Sequence, residues 1–380
     1  MKINGKWMAH SGTQALCAAL EAAGYKALFV GGCVRNQIIG APVADIDIAT
    51  DAVPPRVTEV AGAAGFKVVP TGIDHGTVTV IADGKPHEVT TFRRDLETDG
   101  RRAVVAFATD ITQDAERRDF TMNALYADRH GTVIDPLGGL ADLMARQVRF
   151  VGVPEQRIRE DYLRILRFFR FHAQYGDPQA GLDADGLAAC AALADGLSTL
   201  SRERVGAEMK KLLAAPDPTP SLAAMAQSGV LMRLLAGADV SAIAPLVHLE
   251  AGLEPRWQRR LVVLGGEKPA ERLRLSKSEA KELDAIHEAL GSGLSGAALG
   301  WKIGLLAATD AVLGRAASLG MGLIDGWRRE IERGVVAQFP VTADDLMPAL
   351  QGANLGQRLR VLEERWLRSD LRLTRGELLG

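Results

Sequence analysis

The chain has 380 residues, 47% of them hydrophobic, and a formal net charge of −2. That much apolar material can fill the cores of roughly two to four domains, and near-neutrality excludes a global positive field, so any nucleic-acid contact must come from local patches. The 3 cysteines (Cys17, Cys33, Cys190) are far apart and odd in number, which excludes a disulfide framework or a zinc spacing and suits a reducing cytoplasm. The first residues, MKINGKWMAHSGTQ, lack the apolar core of a signal peptide. No apolar run approaches the length of a membrane span, so a cytoplasmic protein with no membrane partner is expected.

In chain order, YKALFVGG predicts a strand ending in Gly31-Gly32, and CVRNQIIG a helix closed by Gly40. VADIDIAT, residues 43–50, predicts a second strand. GTVTVIADGKPHEVTTF reads as a hairpin turned at Asp83-Gly84. RRDLETDGRR, residues 93–102, has arginines at both ends, acids between them and Leu96 as its only large apolar side chain. It cannot bury itself and predicts a mobile, hydrated loop. RRAVVAF predicts a short strand, RRDFTMNAL (117–125) the opening of a helix, and GTVIDPLGG a strand end followed by a turn.

Beyond about residue 140 the strand signals fade and Ala/Leu/Arg-rich helical periodicity takes over. EDYLRILRFFRF (160–171) and SRERVGAEMKKLL (201–213) are the clearest helices. Ser201 is the expected N-cap of the second, and Arg204 three residues later rules out a full capping box. AAPDPTPS, 214–221, reads as a linker. The fold class is therefore an α+β head, a small mixed sheet with helices, followed by an all-α remainder.

The chemistry concentrates in the head. Asp45 and Asp47 alternate with Ile46 and Ile48, so the carboxylates share one strand face while the isoleucines face the core. Two such charges about 6 Å apart repel by roughly 3 kcal/mol at an effective dielectric of about 20, so something positive belongs between them. Glu88 would be a third carboxylate if its strand neighbours theirs, and three hard oxygen donors suit Mg²⁺. Gly31-Gly32 at a strand–helix junction allows close backbone approach, and free N–H groups there favour a phosphate, with Arg35 one turn on. Arg118 and Asn123 are candidates for holding triphosphate and ribose. Taken singly, each feature is equally an ordinary turn, edge or solvated helix start.

Together GGCVRN, DIDIAT, EVTTFRR, RRDFTMNAL, DPLGG and EDYLRILRFFRF resemble, in order and spacing, the motifs of bacterial class II tRNA nucleotidyltransferases, the CCA-adding enzymes and their poly(A) polymerase relatives. The resemblance implies a catalytic head (1–145), a helical neck with a base-selecting helix (146–240), and a helical body and tail that bind tRNA (241–380). It implies addition and repair of the 3′-terminal CCA of tRNA from CTP and ATP. Asp45 and Asp47 would be the Mg²⁺ ligands, with Glu88 as the third catalytic carboxylate. Gly31, Gly32, Arg35, Arg118, Asp119, Asn123, Asp161, Arg164 and Arg167 would be the nucleotide-binding residues. One departure stands out: the family usually has Asp after the first arginine, and this chain has Asn36. An A-adding or poly(A)-adding enzyme, or an inactive RNA-binding relative, would share the head motifs. No His-Asp dipeptide occurs, so no appended phosphohydrolase centre is expected.

In class II enzymes an EDxxR motif selects the incoming base, and EDYLR resembles it at Glu160, Asp161 and Arg164. On one helix Asp161 and Arg164, at i and i+3, would emerge on a common face. A carboxylate accepting from the exocyclic amino group and a guanidinium donating to the ring nitrogen fit both cytosine and adenine. Uracil and guanine would leave those partners mismatched. Class II relatives have a flexible element where RRDLETDGRR lies, which makes that loop the candidate for reshaping the pocket between C and A addition. Residues 157–170 hold five arginines against two acids and 358–375 six against three, local basic faces suited to the backbone of one structured RNA. A monomer or weak dimer is expected.

Overall fold

The computed structural model describes residues 1–99 and 102–380, and the chain gathers into two compact units. Unit 1 is Met1–Leu200 with Ser228–Val230, and unit 2 is Ser201–Gln227 with Leu231–Gly380. The boundary expected near residue 145 falls inside unit 1.

Unit 1 is built on a mixed sheet of seven strands in the order β3-β4-β5-β2-β1-β8-β9. These are β1 (Leu28–Val30), β2 (Asp47–Thr50), β3 (Lys67–Gly72), β4 (Thr77–Ala82), β5 (Lys85–Thr91), β8 (Tyr126–Ala127) and β9 (Val133–Ile134). The β4–β5 hairpin turns where expected, with both central residues in the left-handed region (Asp83 φ 46°, Gly84 φ 75°). That backbone matches the twist of a two-residue hairpin. The one parallel pairing is β2 with β5, and it sets Asp47 opposite Glu88.

Helices α1 (Ser11–Ala22), α2 (Gly32–Ile39) and α3 (Pro54–Ala63) belong to this unit. Helix α2 runs between two glycines, Gly31 (φ 69°) before it and Gly40 (φ 74°) after it, as the sequence suggested. His87 of β5 is fully buried and bonded to Thr13 Oγ1 at 2.8 Å, which ties α1 to the sheet.

Three expectations change in unit 1. Of the charged stretch expected as a loop, Arg93–Asp99 is a strand: β6 (Arg93–Asp99) pairs antiparallel with β7 (Arg102–Phe107) in a separate two-stranded ribbon. Backbone pairing here needs no buried side chains, which is why a hydrophobicity argument missed it. Gly100 and Arg101, the expected tip, lie outside the described residues.

RRDFTMNAL does not open a helix. Helix α4 (Ile111–Glu116) ends just before it, and the segment continues as extended backbone and a single 3₁₀ turn at Thr121–Asn123. Phe120 pairs with Phe150 across an isolated bridge, and backbone bonds run from Thr121 N to Arg149 O (3.0 Å) and from Val151 N to Asp119 O (3.0 Å). Helix α5 (Gly139–Met144) packs so closely that a Cβ on Gly139 would stand 2.1 Å from the Thr121 carbonyl oxygen.

The EDYLR stretch is not one helix either. Helix α6 (Pro154–Glu160) ends at Asp161, whose backbone is extended (φ −156°, ψ 106°), and α7 (Leu163–Tyr175) begins after Tyr162. Gly196 makes room for this break, since a Cβ there would fall 2.0 Å from the Tyr162 ring. Helix α7 buries Ile165, Leu166, Phe168, Phe169 and Phe171, and Phe120 lies 4.9 Å from Phe171, ring to ring.

Unit 2 is helical. Ser201 caps the helix Arg202–Leu213 as expected, accepting from Arg204 N. The 214–221 stretch is not a free linker: the buried Arg260 guanidinium donates to the carbonyls of Leu213 (2.7 Å), Pro216 (3.1 Å) and Ala215. Arg260 also binds Glu250 (2.7 Å), which binds Arg259 (2.9 Å), which in turn binds Asp310 (2.7 Å), all nearly inaccessible to solvent. Asp310 lies on the helix Gly296–Ser318, which by length and composition alone is apolar enough to cross a membrane, contrary to the sequence expectation. Half of that apolar window is buried, Gly304 breaks its helical geometry, and Asp310 is bound by Arg256 and Arg259. It serves here as a core helix.

Removing one member of such a buried network strands the others, which costs about 3–5 kcal/mol. Arg260→Ala is therefore expected to lower the stability of unit 2 by that amount in urea titrations. Trp257, Trp301, Trp327 and Trp366, all in this unit, supply the fluorescence signal.

Candidate active site

The site forms where β2, β5 and the start of α2 meet. Ile46 and Ile48 are buried, while Asp45 is exposed and Asp47 half-buried, so the alternation read from the sequence holds. Asp45 itself precedes the regular strand. Glu88, exposed, sits beside Asp47 in the parallel register, and Glu88 N donates to Ile46 O (3.3 Å). Burial and then the Glu88 carboxylate push the Asp47 carboxyl up to about 6; Arg118 opposes this and Asp45 adds to it. Asp47 thus senses both neighbouring carboxylates. Among the described residues, no three potential ligands close into a preformed metal cage.

Gly31 adopts φ 69° at the turn into α2, and a Cβ there would stand 3.3 Å from Arg118 Nη1. The positive φ favours glycine there, and the Arg118 guanidinium leaves little room for a Cβ. Arg118 donates through Nε to Tyr126 Oη (3.1 Å), through Nη2 to Asp114 Oδ2 (2.9 Å) and through Nη1 to Asn123 O (3.5 Å). Its ion pair with Asp114 raises its pKa against the effect of burial.

Arg35 is turned into the head rather than left free at the surface. It is buried, donates to Asn36 Oδ1 from Nε (3.1 Å) and Nη2 (2.8 Å), to Tyr175 Oη (2.9 Å) and to Asn123 Oδ1, and stacks on the Tyr175 ring at 4.1 Å. Asn36 is thus the acceptor that orients Arg35, and its own amide donates to Pro42 O (2.7 Å). The uncharged residue keeps the hydrogen-bonding role.

Asp119 joins this network to α7. Its Oδ1 accepts from Asn123 Nδ2 (2.9 Å) and Phe120 N (2.9 Å), and its Oδ2 from Arg167 Nε (2.7 Å) and Nη2 (2.5 Å). Burial works against this charge, but Arg167 and the Asn123 amide hold the carboxyl down at about 2.

The structure separates Asp161 from Arg164 as helix neighbours. Asp161, at the break, accepts from Leu163 N (3.1 Å). Arg164 binds Glu160 Oε2 (2.5 Å) and donates to the carbonyls of Arg157 (2.9 Å) and Arg117 (3.1 Å). Within the basic stretch 157–170, Arg157, Arg164, Arg167 and Arg170 are each bonded within the chain, while Arg159 is exposed. Sequence reading missed Asp114, Tyr126 and Tyr175. The available signal was an acid three and four residues ahead of Arg117 and Arg118, at helical pairing distance.

An anionic strand pair beside a glycine turn, overlooked by a prepositioned arginine, is an arrangement suited to a nucleoside triphosphate. The comparisons agree. A family model described as the Poly A polymerase head domain matches residues 27–149, and one described as the probable RNA and SrmB-binding site of polymerase A matches 182–240. The mitochondrial CCA tRNA nucleotidyltransferase 1 of Mus musculus is 33% identical over 367 residues, covering 92% of this chain and 85% of that protein. The CCA-adding enzyme of Geobacillus thermodenitrificans is 43% identical over 209 residues, 54% of this chain and half the length of that enzyme. The crystal structure of the Bacillus stearothermophilus CCA-adding enzyme in complex with CTP superposes with a TM-score of 0.71 at 28% identity, covering 94% of this chain and 93% of that one. This chain is a nucleotidyltransferase and belongs to the class II tRNA nucleotidyltransferases, the family of CCA-adding enzymes.

Asp119 supplies a test of the network. Its carboxyl is depressed from 3.8 to about 2, so its contribution to stability is complete above the unfolded value and lost as pH falls through the folded one. At neutral pH Asp119→Asn is expected to be less stable than the parent by roughly 2 kcal/mol. The gap should close between about pH 4 and pH 2 in denaturant titrations.

Proposed function

We propose that this chain adds and repairs the 3′-terminal CCA of tRNA, without a template, from CTP and ATP. The observation that carries the reading is the Asp47–Glu88 pair in parallel register beside a glycine turn roofed by Arg118, in a chain of this family. Residues 1–145 would form the catalytic head, 146–240 the neck and 241–380 the tRNA-binding body and tail, in a cytoplasmic monomer or weak dimer.

Asp45 and Asp47 would hold Mg²⁺, with Glu88 as the third carboxylate. The donor set fits: all three are hard oxygen donors, and their crowding is visible in the raised Asp47 carboxyl. When bound, the ion supplies Lewis-acid stabilisation of phosphoryl oxygens and acidification of the attacking 3′-hydroxyl. Gly31 and Gly32 let the triphosphate approach the backbone at the start of α2, where free N–H groups point outward. Arg118 brings Nη1 to the same turn. Arg35, Asn123, Asp119 and Arg167 hold the triphosphate side of the site together as one bonded chain.

Base choice would fall to Asp161 and Arg164. Glu160 and two backbone carbonyls fix Arg164, using three of the five N–H donors of a guanidinium and leaving one edge for a base. The break at Asp161 turns its side chain independently of the helix repeat, so the pair need not be i, i+3 partners to face one base. Cytosine and adenine satisfy an acceptor and a donor together; uracil and guanine reverse both.

The deciding experiment supplies tRNAs ending at the discriminator base, at C and at CC with each nucleotide separately. C addition to the first two and A addition to the third are expected. A addition alone would make the chain an A-adding relative, and no incorporation with excess Mg²⁺ would make it an inactive one. In the same assay Asp45→Ala and Asp47→Ala are each expected to lower turnover by at least about a thousandfold with the fold intact by circular dichroism. Unchanged turnover would remove the metal assignment.

A further inference from the structure

Asp114 lies on α4, just ahead of the RRDFTMNAL motif and outside it, yet it is 1% exposed and its carboxyl is held charged. Its Oδ1 accepts from Arg117 Nε at 2.9 Å, and its Oδ2 accepts from Arg118 Nη2 at 2.9 Å and from Tyr126 Oη at 2.7 Å. Burial works against the charge, and Arg118 and Arg117 hold the carboxyl down at about 2. Tyr126 Oη in turn accepts from Arg118 Nε, and the guanidinium stacks over the Tyr126 ring at 5.3 Å. Arg118 is thereby gripped on one edge and one face.

Three of its five N–H groups are engaged, and the last of these bonds, to Asn123 O, is long at 3.5 Å. The two that remain, one on Nη1 and one on Nη2, are left over, and Nη1 borders Gly31, standing 3.3 Å from where a Cβ there would lie. A carboxylate whose work was only to neutralise buried charge would not need to leave that edge clear.

We infer that Asp114 is a positioning residue, which with Tyr126 holds the Arg118 guanidinium so that its open edge faces the triphosphate of the incoming nucleotide above Gly31. The inference rests on the proposed nucleotide site and adds to it the residue that aims its phosphate-facing arginine. Arg118 without Asp114 would keep its charge but not its direction, so the loss in binding should fall on phosphate recognition and not on the base.

The test compares affinities for CTP and CMP by calorimetry on the full chain with Mg²⁺, alongside C addition to tRNA. The parent should prefer CTP. Asp114→Asn should reduce the CTP/CMP affinity ratio by about tenfold, the cost of one charge-assisted hydrogen bond, while CMP affinity stays level. Arg118→Ala should do the same, and the double variant should lose no more than Arg118→Ala alone. Tyr126→Phe keeps the ring and removes only the bridging hydroxyl, so it carries the test if Asp114→Asn does not fold, with a smaller loss of the same kind. An unchanged ratio, equal losses for CTP and CMP, or additive losses in the double variant would overturn the positioning role. A parent that binds CTP but extends no tRNA would overturn the proposed function alone.

Discussion

The parallel pairing of β2 with β5 sets two carboxylates side by side, with a third one turn of strand earlier, and the head is organised around that repulsion. Among the described residues none of the three forms an ion pair with an arginine or lysine, although arginines are plentiful nearby. Three of those arginines are held by other acids, Arg118 by Asp114, Arg167 by Asp119 and Arg164 by Glu160. A guanidinium tied to its own carboxylate cannot fall onto Asp47 and close the site. The pairings thus keep the anionic cluster open for a cation while keeping positive charge oriented around it.

The same pairings explain why the cluster tolerates partial burial. Arg118 lowers the Asp47 carboxyl from a distance without bonding to it, so crowding is moderated but not cancelled. The isoleucines between the aspartates fill the core, and the sheet rather than any counter-ion keeps the charges in place.

Much of this was legible in the sequence. The Gly31–Gly40 helix, the Asp83-Gly84 hairpin, the Asp45/Asp47 alternation and the Ser201 cap follow from local rules, because each depends on a residue and its immediate neighbours. What was not legible depends on distant partners. RRDFTMNAL has helical composition, but Phe120 finds Phe150 and the backbone follows it into a bridge. EDYLR has helical spacing, but Tyr162 lodges against Gly196, which no local pattern announces. Strand β6 pairs by backbone bonds with β7, which the RRAVVAF pattern did announce, but its own charged side chains left no strand signal in hydropathy. The arginines were visible as cations, but which acid each would choose depended on the break at Asp161 and on Asp114, whose burial no composition reveals.

Helix α7 has a metrical consequence. It carries Arg164 at its first turn and Tyr175, the stacking partner of Arg35, at its last. At about 1.5 Å per residue those positions are roughly 16 Å apart along a rod of fixed pitch. The helix therefore acts as a gauge between the end proposed to read a base and the end that braces the phosphate side. Exchanging side chains on its outer face leaves that gauge intact. Inserting or deleting one residue would shift one end by about 1.5 Å and turn it by about 100° against the other. Evolution can rewrite this helix letter by letter, but it cannot change its length and keep both ends in register.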